Sequence, residues 1–417
     1  MTAIITLGMI PAMKKPELSA PAGNLENAQT ALLYGADAMY QGWEGFSLRS
    51  GKKAEVTQES IQATQALAKA FGKKYYLALN IFAHNEDIDR LQDELRSILS
   101  IPVDAYIISD PGVMTILKEQ HPRAIIHLST QANTLNYASV RFWRAAGVQR
   151  IILARELHEQ EIRRIQKENP EMELEIFVHG AMCMAYAGRC NLSLNFLGRD
   201  SNKGDCSHVC RWKFDVIDDG KSKEMEMEEV DGGIYILNSS DLNLAPYIST
   251  LLSLGLSSLK IEGRNKTSYY VANVTRVYRH LIDEVSKLGS RYQPNNIVLD
   301  ELNRVSHRQY SAGFFQKDQQ LFNFKTSAYE KDYKLVGVIK SYKNGQLVIQ
   351  VRDKIETGET VEIIMPDMRN QVVTIQKIMD IKTGKIIQAA HNSYEIAVDT
   401  QFIDIQPGFL VRKVNRI

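Results

Sequence analysis

From Glu17 to Glu262 the chain alternates short apolar, β-branched runs with segments of helical spacing. Glu17-Leu18-Ser19-Ala20 reads as a strand that ends in Pro21-Ala22-Gly23. Asn24 then stands where a helix N-cap belongs, with Leu25, Ala28, Ala31 and Leu32 on one helical face and Gly35 to stop it. The same unit recurs. Further strands are predicted at Ala38–Tyr40, Lys74–Ile81, Ala105–Ser109, Ala124–Ser129, Arg150–Leu153, Leu174–Val178 and Ser258–Glu262. Helices are predicted at Ser60–Ala70, Ile88–Leu99, Val113–Glu119, Tyr137–Ala146, His158–Glu168 and Leu244–Leu254.

Eight β–α units in sequence predict an α/β fold, a parallel (β/α)8 TIM-like barrel, over residues 1–290. An open doubly wound sheet is the alternative, but no G-x-G-x-x-G follows any strand. The helix expected after the seventh strand is replaced by a cysteine-rich insertion and an irregular charged stretch, Asp215–Gly233. A long helix from Asn265 to Lys287 and a connecting segment, 291–332, follow the barrel. From Tyr333 the period shortens to alternating strands such as QLVIQV, TVEIIM and YEIAVD, with a turn at Asn344-Gly345. Residues 333–417 therefore read as a small C-terminal all-β barrel domain.

The carboxyl ends of barrel strands are where such folds hold their chemistry. Polar residues collect there: Ser19, Gln41, Asn80, Ser129, Arg155, Glu156, His179, Glu262 and Arg264. Composition adds bounds rather than direction. A chain of 417 residues with 44% hydrophobic and 24% charged residues can bury a large core unaided. Its net charge of +1 leaves any polyanion-binding surface to a local patch. The N-terminal lysines follow the apolar stretch, the wrong order for a secretory signal, and no run is long enough to span a membrane. The expectation is a cytoplasmic protein without a membrane partner, whose thiols stay reduced.

All four cysteines lie in one segment, Cys183, Cys190, Cys206 and Cys210, spaced C-x6-C-x15-C-x3-C. Core cysteines would be dispersed; clustering points to a metal. Only Cys206 and Cys210 have the spacing of a zinc knuckle, and the wider first gap suits the larger core of a 4Fe–4S cluster. Zinc stays open as the alternative. A C-x3-C-x2-C radical arrangement is absent. If all four thiolates bind iron, no site on the metal is left for substrate, so the cluster would carry electrons or clamp the fold. His179, four residues before Cys183, is a candidate ligand, acid–base group or hydrogen-bonded support. Arg189, Arg199, Lys203 and Arg211 make the segment basic, a phosphate contact or a solvated face.

The stretch Glu175-x-Phe177-x2-Gly180-Ala181-Met182-Cys183-x4-Gly188-x-Cys190-x-Leu192-Ser193 resembles the signature of peptidase family U32, the collagenase-like peptidases. ELSAPAGNLENAQTALLYGADAMYQG, SSDLNL at Ser239–Leu244 and SLKIEGRNKTSYYVANVTRVYR from Ser258 extend the resemblance over nearly the whole chain. The resemblance implies RNA hydroxylation rather than proteolysis. One branch forms 5-hydroxyuridine at the tRNA wobble position with prephenate implicated, a second hydroxylates a cytidine of ribosomal RNA, and a third serves ubiquinone hydroxylation with a 4Fe–4S cluster. GRDSNKGDCSHVCRWKF is most similar to the tRNA branch, whose pattern carries cluster ligation onto Cys183, Cys190, Cys206 and Cys210. The implied partners are tRNA, a small dicarboxylate such as prephenate, the iron–sulfur assembly machinery, and a second copy or related subunit. Arg155 and Arg264 are expected to pair with the dicarboxylate, and His179 and Glu262 to move protons. The C-terminal domain and the long helix are expected to meet the RNA. A U32-type protease, for which His179 and Cys183 stand close in sequence, and a non-catalytic RNA-binding accessory protein are the competing classes.

Overall fold

The computed structural model describes residues 15–48, 56–214, 235–317, 321–402 and 404–414. The N-terminal stretch and all of Asp215–Gly233 lie outside the described residues.

The first strand, β1 (Glu17–Pro21), leads through the Asn24 cap into helix α1 (Leu25–Leu33); the Asn24 side chain accepts a hydrogen bond from the Asn27 amide as the sequence predicts. Then follow β2 (Ala38–Gly42), α2 (Gln58–Ala70), β3 (Lys74–Leu79), α3 (Asn85–Leu99), β4 (Ala105–Ile108), α4 (Pro111–Gln120), β5 (Ile126–Leu128), α5 (Tyr137–Ala145), β6 (Arg150–Ile152), α6 (Glu159–Glu168) and β7 (Glu173–Ala181). The cysteine segment carries one short helix, α7 (Leu192–Leu197). The chain returns through β8 (Asp241–Asn243) and α8 (Ile248–Ser253) to β9 (Ser258–Ile261) and the long α9 (Ser268–Leu288).

Strands β1 to β7 pair in parallel in chain order, and β9 closes the ring by pairing in parallel with both β7 and β1. The fold is thus an eight-stranded parallel barrel ringed by helices. One element was not expected. β8 runs antiparallel to the end of β7, and a two-residue strand β10 (Tyr310–Ser311) extends it, so the sheet grows past the ring where the cysteine segment leaves it. The SSDLNL motif supplies β8.

The inside of the barrel is ionic. The Glu175 carboxylate lies 2.9 Å from Lys260 Nζ and 3.3 Å from Arg150, and Arg150 also holds Glu17 at 2.6 Å. These residues come from β7, β9, β6 and β1, and β1 and β6 are not neighbours in the sheet, so their side chains meet across the barrel's interior. Glu175, Lys260 and Arg150 are all buried. Apolar residues such as Leu18, Ile151, Leu174 and Leu259 pack in the layer between sheet and helices.

Residues from Tyr333 form an eight-stranded antiparallel sheet, a half-barrel with its own core of Val336, Leu347, Ile349, Val361 and Ile396. It is tied to the barrel's helices. Tyr34 donates to Ile364 O (2.8 Å) and accepts from Leu410 N (3.0 Å). Buried Arg412 and Arg276 both bind Glu301, Arg412 at 2.8 and 2.9 Å. No helix among the described residues is long and apolar enough to cross a membrane.

Candidate functional site

The site begins with an irregularity in β7. Glu175, Ile176 and Phe177 pair with Ser258, Leu259 and Lys260, but the next partner of Ile261 is His179, so Val178 is an extra residue. A bulge of this kind re-aims the side chains that follow it. Phe177 stays opposite the inward Lys260. His179 turns to the helix side, where its ring contacts Tyr270 and Tyr278 of α9 and Tyr310. Its Nδ1 is 3.4 Å from Tyr278 Oη and its Nε2 is 3.2 Å from Tyr310 Oη. Burial holds its pKa down at about 3, so it is neutral. The glycine of the motif follows from the same packing. Gly180 has φ +113, and a Cβ there would sit 2.4 Å from Glu262 O, so no side chain fits where β7 and β9 end together.

Beyond Ala181 the four cysteines converge on one cavity of about 130 Å3 at the mouth of the barrel. Its wall is locked by backbone bonds. Arg155 donates to Ala181 O (2.9 Å) and lies over the Phe177 ring. Arg211 donates to Met182 O and Asn238 Oδ1, both at 2.8 Å. Asn202 and Ser201 hold the Cys190 backbone, and Glu156 Oε1 accepts from Ala187 N at 2.6 Å. Gly188, at φ +78, packs against Gln131, where a Cβ would come within 2.8 Å of its side chain. The His208 amide points at Cys206 Sγ (3.4 Å), the kind of N–H···S bond that tunes a metal-bound sulfur.

Burial and the neighbouring thiols push the Cys183 and Cys210 thiols up, Cys210 to about 11. Neither is therefore an activated nucleophile, and binding a metal there would release their protons. Three guanidinium groups, of Arg155, Arg211 and Arg308, also line the cavity and favour negative charge in it. Arg308 is anchored by Asp241 (3.4 Å), yet among the described residues its buried Nε has no hydrogen-bond partner, nor has the buried Oε2 of Glu156.

The structure thus brings Cys183, Cys190, Cys206, Cys210, Arg155 and Glu156 to one place. It does not bring His179, Glu262 or Arg264 there. Glu262 sits at the end of β9, with its amide on His179 O and its carbonyl accepting from Tyr270 Oη. Arg264 donates to Ser47 Oγ. The guanidinium groups that share the cavity are those of Arg155, Arg211 and Arg308, not of Arg264. Ser19 lies in the middle of β1 and Gln41 one residue before the end of β2, and both are buried. Arg308 went unnoticed in the sequence because nothing in VSHRQY marks it; the charged residues inside the apolar runs EIFV and SLKI were the visible sign of the ionic barrel interior.

The donor set is all sulfur, which selects zinc or iron–sulfur centres. Among the described residues no group of three or more His, Cys, Asp or Glu side chains is arranged to hold a metal ion. The four thiols face this one cavity.

The family model described as peptidase family U32 matches residues 23–322, and that of the U32 C-terminal domain matches 331–412. The chain belongs to peptidase family U32. "tRNA hydroxylation protein P1" of Bacillus subtilis (strain 168) is 36% identical over 96% of this chain and 95% of its own. "tRNA hydroxylation protein P" of Escherichia coli (strain K12) is 36% identical over 97% and 98%. "23S rRNA 5-hydroxycytidine C2501 synthase" of the same strain is 27% identical over 91% of this chain and 56% of its own.

Proposed function

We propose that this chain is an RNA hydroxylase that forms 5-hydroxyuridine at the wobble position of tRNA, with prephenate as a small dicarboxylate co-substrate. The observation that carries the reading is the four-thiol cavity at the barrel mouth, set in a chain that aligns end to end with relatives named for tRNA hydroxylation. Cys183, Cys190, Cys206 and Cys210 would hold a 4Fe–4S cluster, which supplies one-electron chemistry when bound. Arg155, Arg211 and Arg308 would orient the anionic co-substrate, because guanidinium groups bind carboxylates in a bidentate way. The Glu156 carboxylate lines the cavity, and among the described residues its buried Oε2 has no hydrogen-bond partner, which makes it the acid–base candidate there; His179, expected for that role, faces α9.

Proteolysis draws no support from this geometry. His179 does not line the cavity that holds Cys183, and both of its ring nitrogens meet tyrosine hydroxyls. The test is nucleoside mass spectrometry of tRNA and ribosomal RNA from a strain lacking the gene. Loss of 5-hydroxyuridine derivatives is expected; intact 5-hydroxyuridine with lost 5-hydroxycytidine would move the assignment to ribosomal RNA, and no change in either would overturn it.

A further inference from the structure

The region expected to meet RNA was the C-terminal domain with the long helix. About half of the domain's cations are paired among the described residues. Lys334, Lys354, Arg369 and Lys413 each pair with a carboxylate of the same domain, and Arg279 of α9 pairs with Asp37 and Asp283.

A different surface has the missing chemistry. Helix α7 turns Leu194, Phe196 and Leu197 outward, and Phe196 is 55% exposed. The Trp212 ring, 42% exposed, stands 6.4 Å from Phe196 at 78°, and Phe214 stands 6.2 Å from it at 72°. Isolated exposed apolar residues are ordinary, but a contiguous group with open ring faces marks a binding surface. From Arg189 to Lys213 there are five Lys or Arg against two Asp, with Arg199 paired to Asp205 and Lys203 to Asp87. The surface is also continuous with the cavity. Leu192 and Ser193 at the start of α7 line it, as does Arg211 next to Trp212.

We infer that Phe196 and Trp212 form a stacking platform for unpaired bases of an RNA loop, holding the neighbours of the target base while that base reaches the cysteine cavity. Flat aromatic faces in a basic frame are the general means of holding single-stranded nucleic acid, and every base has a face to stack. The inference rests on the reading of this chain as an RNA hydroxylase and adds where the RNA is held.

The test uses the full chain with its cluster loaded and unmodified tRNA. Phe196→Ala and Trp212→Ala remove exposed rings, so melting temperature and iron content check that fold and centre are kept. Each is expected to weaken tRNA binding about 5- to 150-fold, the range for one lost base stack, with the salt dependence of binding unchanged. Lys213→Ala is expected instead to reduce the salt slope by about one. tRNA should quench a fluorescence component that Trp212→Phe removes. Wild-type affinity in both ring variants would overturn the platform. So would a Trp212 already shielded from acrylamide in the free protein, which would mean that the chain itself covers the surface. Unchanged tRNA affinity with a lost self-association would reassign the surface to a protein interface. If the wild-type protein binds no tRNA at all, the hydroxylase reading fails, and the ring variants then bear only on self-association.

Discussion

Replacing Lys260 by Met tests how the barrel is held open for its site. Lys260 Nζ lies 2.9 Å from the Glu175 carboxylate, and both groups are buried. At an effective dielectric of about 20 their attraction is about 6 kcal/mol, set against several kcal/mol of desolvation for each ion. Burial by itself pushes the Glu175 carboxyl up, but Lys260 and then Arg150 more than offset it and hold the pKa at about 2. With a folded value below the unfolded one, Glu175 contributes stability that is complete above about pH 4.5 and is lost as pH falls toward 2. The full contribution is about 3 kcal/mol. Lys260→Met strands a buried carboxylate beside Arg150 alone. The expected loss is about 3–5 kcal/mol at neutral pH, the range for breaking one partner of a buried pair. Urea unfolding followed by far-UV circular dichroism measures it. The gap to wild type should narrow between pH 4.5 and 2, where the variant can protonate Glu175 more readily. Adding Glu175→Leu should recover most of the loss, because no unpaired charge remains. A loss under about 1 kcal/mol, or one independent of pH, would refute the view that this network is what the interior depends on.

Four further outcomes are expected. Gly180→Ala places a Cβ against Glu262 O and should cost at least the ~1–3 kcal/mol of a strained backbone position, read as a lower melting temperature with reduced iron uptake. Cys206→Ser should lower iron and sulfide content and brown absorbance while leaving the barrel's circular dichroism intact; full iron loading would exclude Cys206 as a ligand. His127 and His179 are both held neutral to about pH 3 by burial, so the unfolded chain binds protons first, and stability should fall as pH drops from about 6.5 toward 3. His127→Gln should flatten that slope by up to one proton. Glu301→Gln leaves Arg276 and Arg412 buried without their shared carboxylate and should cost about 3–5 kcal/mol, with limited proteolysis entering first between the barrel and the half-barrel.

Much of this architecture is written locally. The alternation of strand and helix patterns follows from burial of one face per element, so the ring order, the Asn24 cap and the shift to short strands at Tyr333 could all be read from the chain. So could the clustering of four cysteines in the loop after the seventh strand, since it depends only on position along the chain. Periodicity does not say on which side of a closed ring a residue lies. One extra residue, Val178, carries His179 from the expected mouth to the α9 side, and no local pattern marks that bulge. Arg308 lines the cavity from just before β10 and is held there by Asp241 of β8; strands of two and three residues are too short to leave a signal, and the pair forms only because β8 and β10 extend the sheet there. The ionic barrel interior likewise joins charges far apart in sequence, Glu17 with Arg150 and Glu175 with Lys260. Their burial is tolerable only once the closed barrel sets them against one another, and that is a property of the ring rather than of any segment.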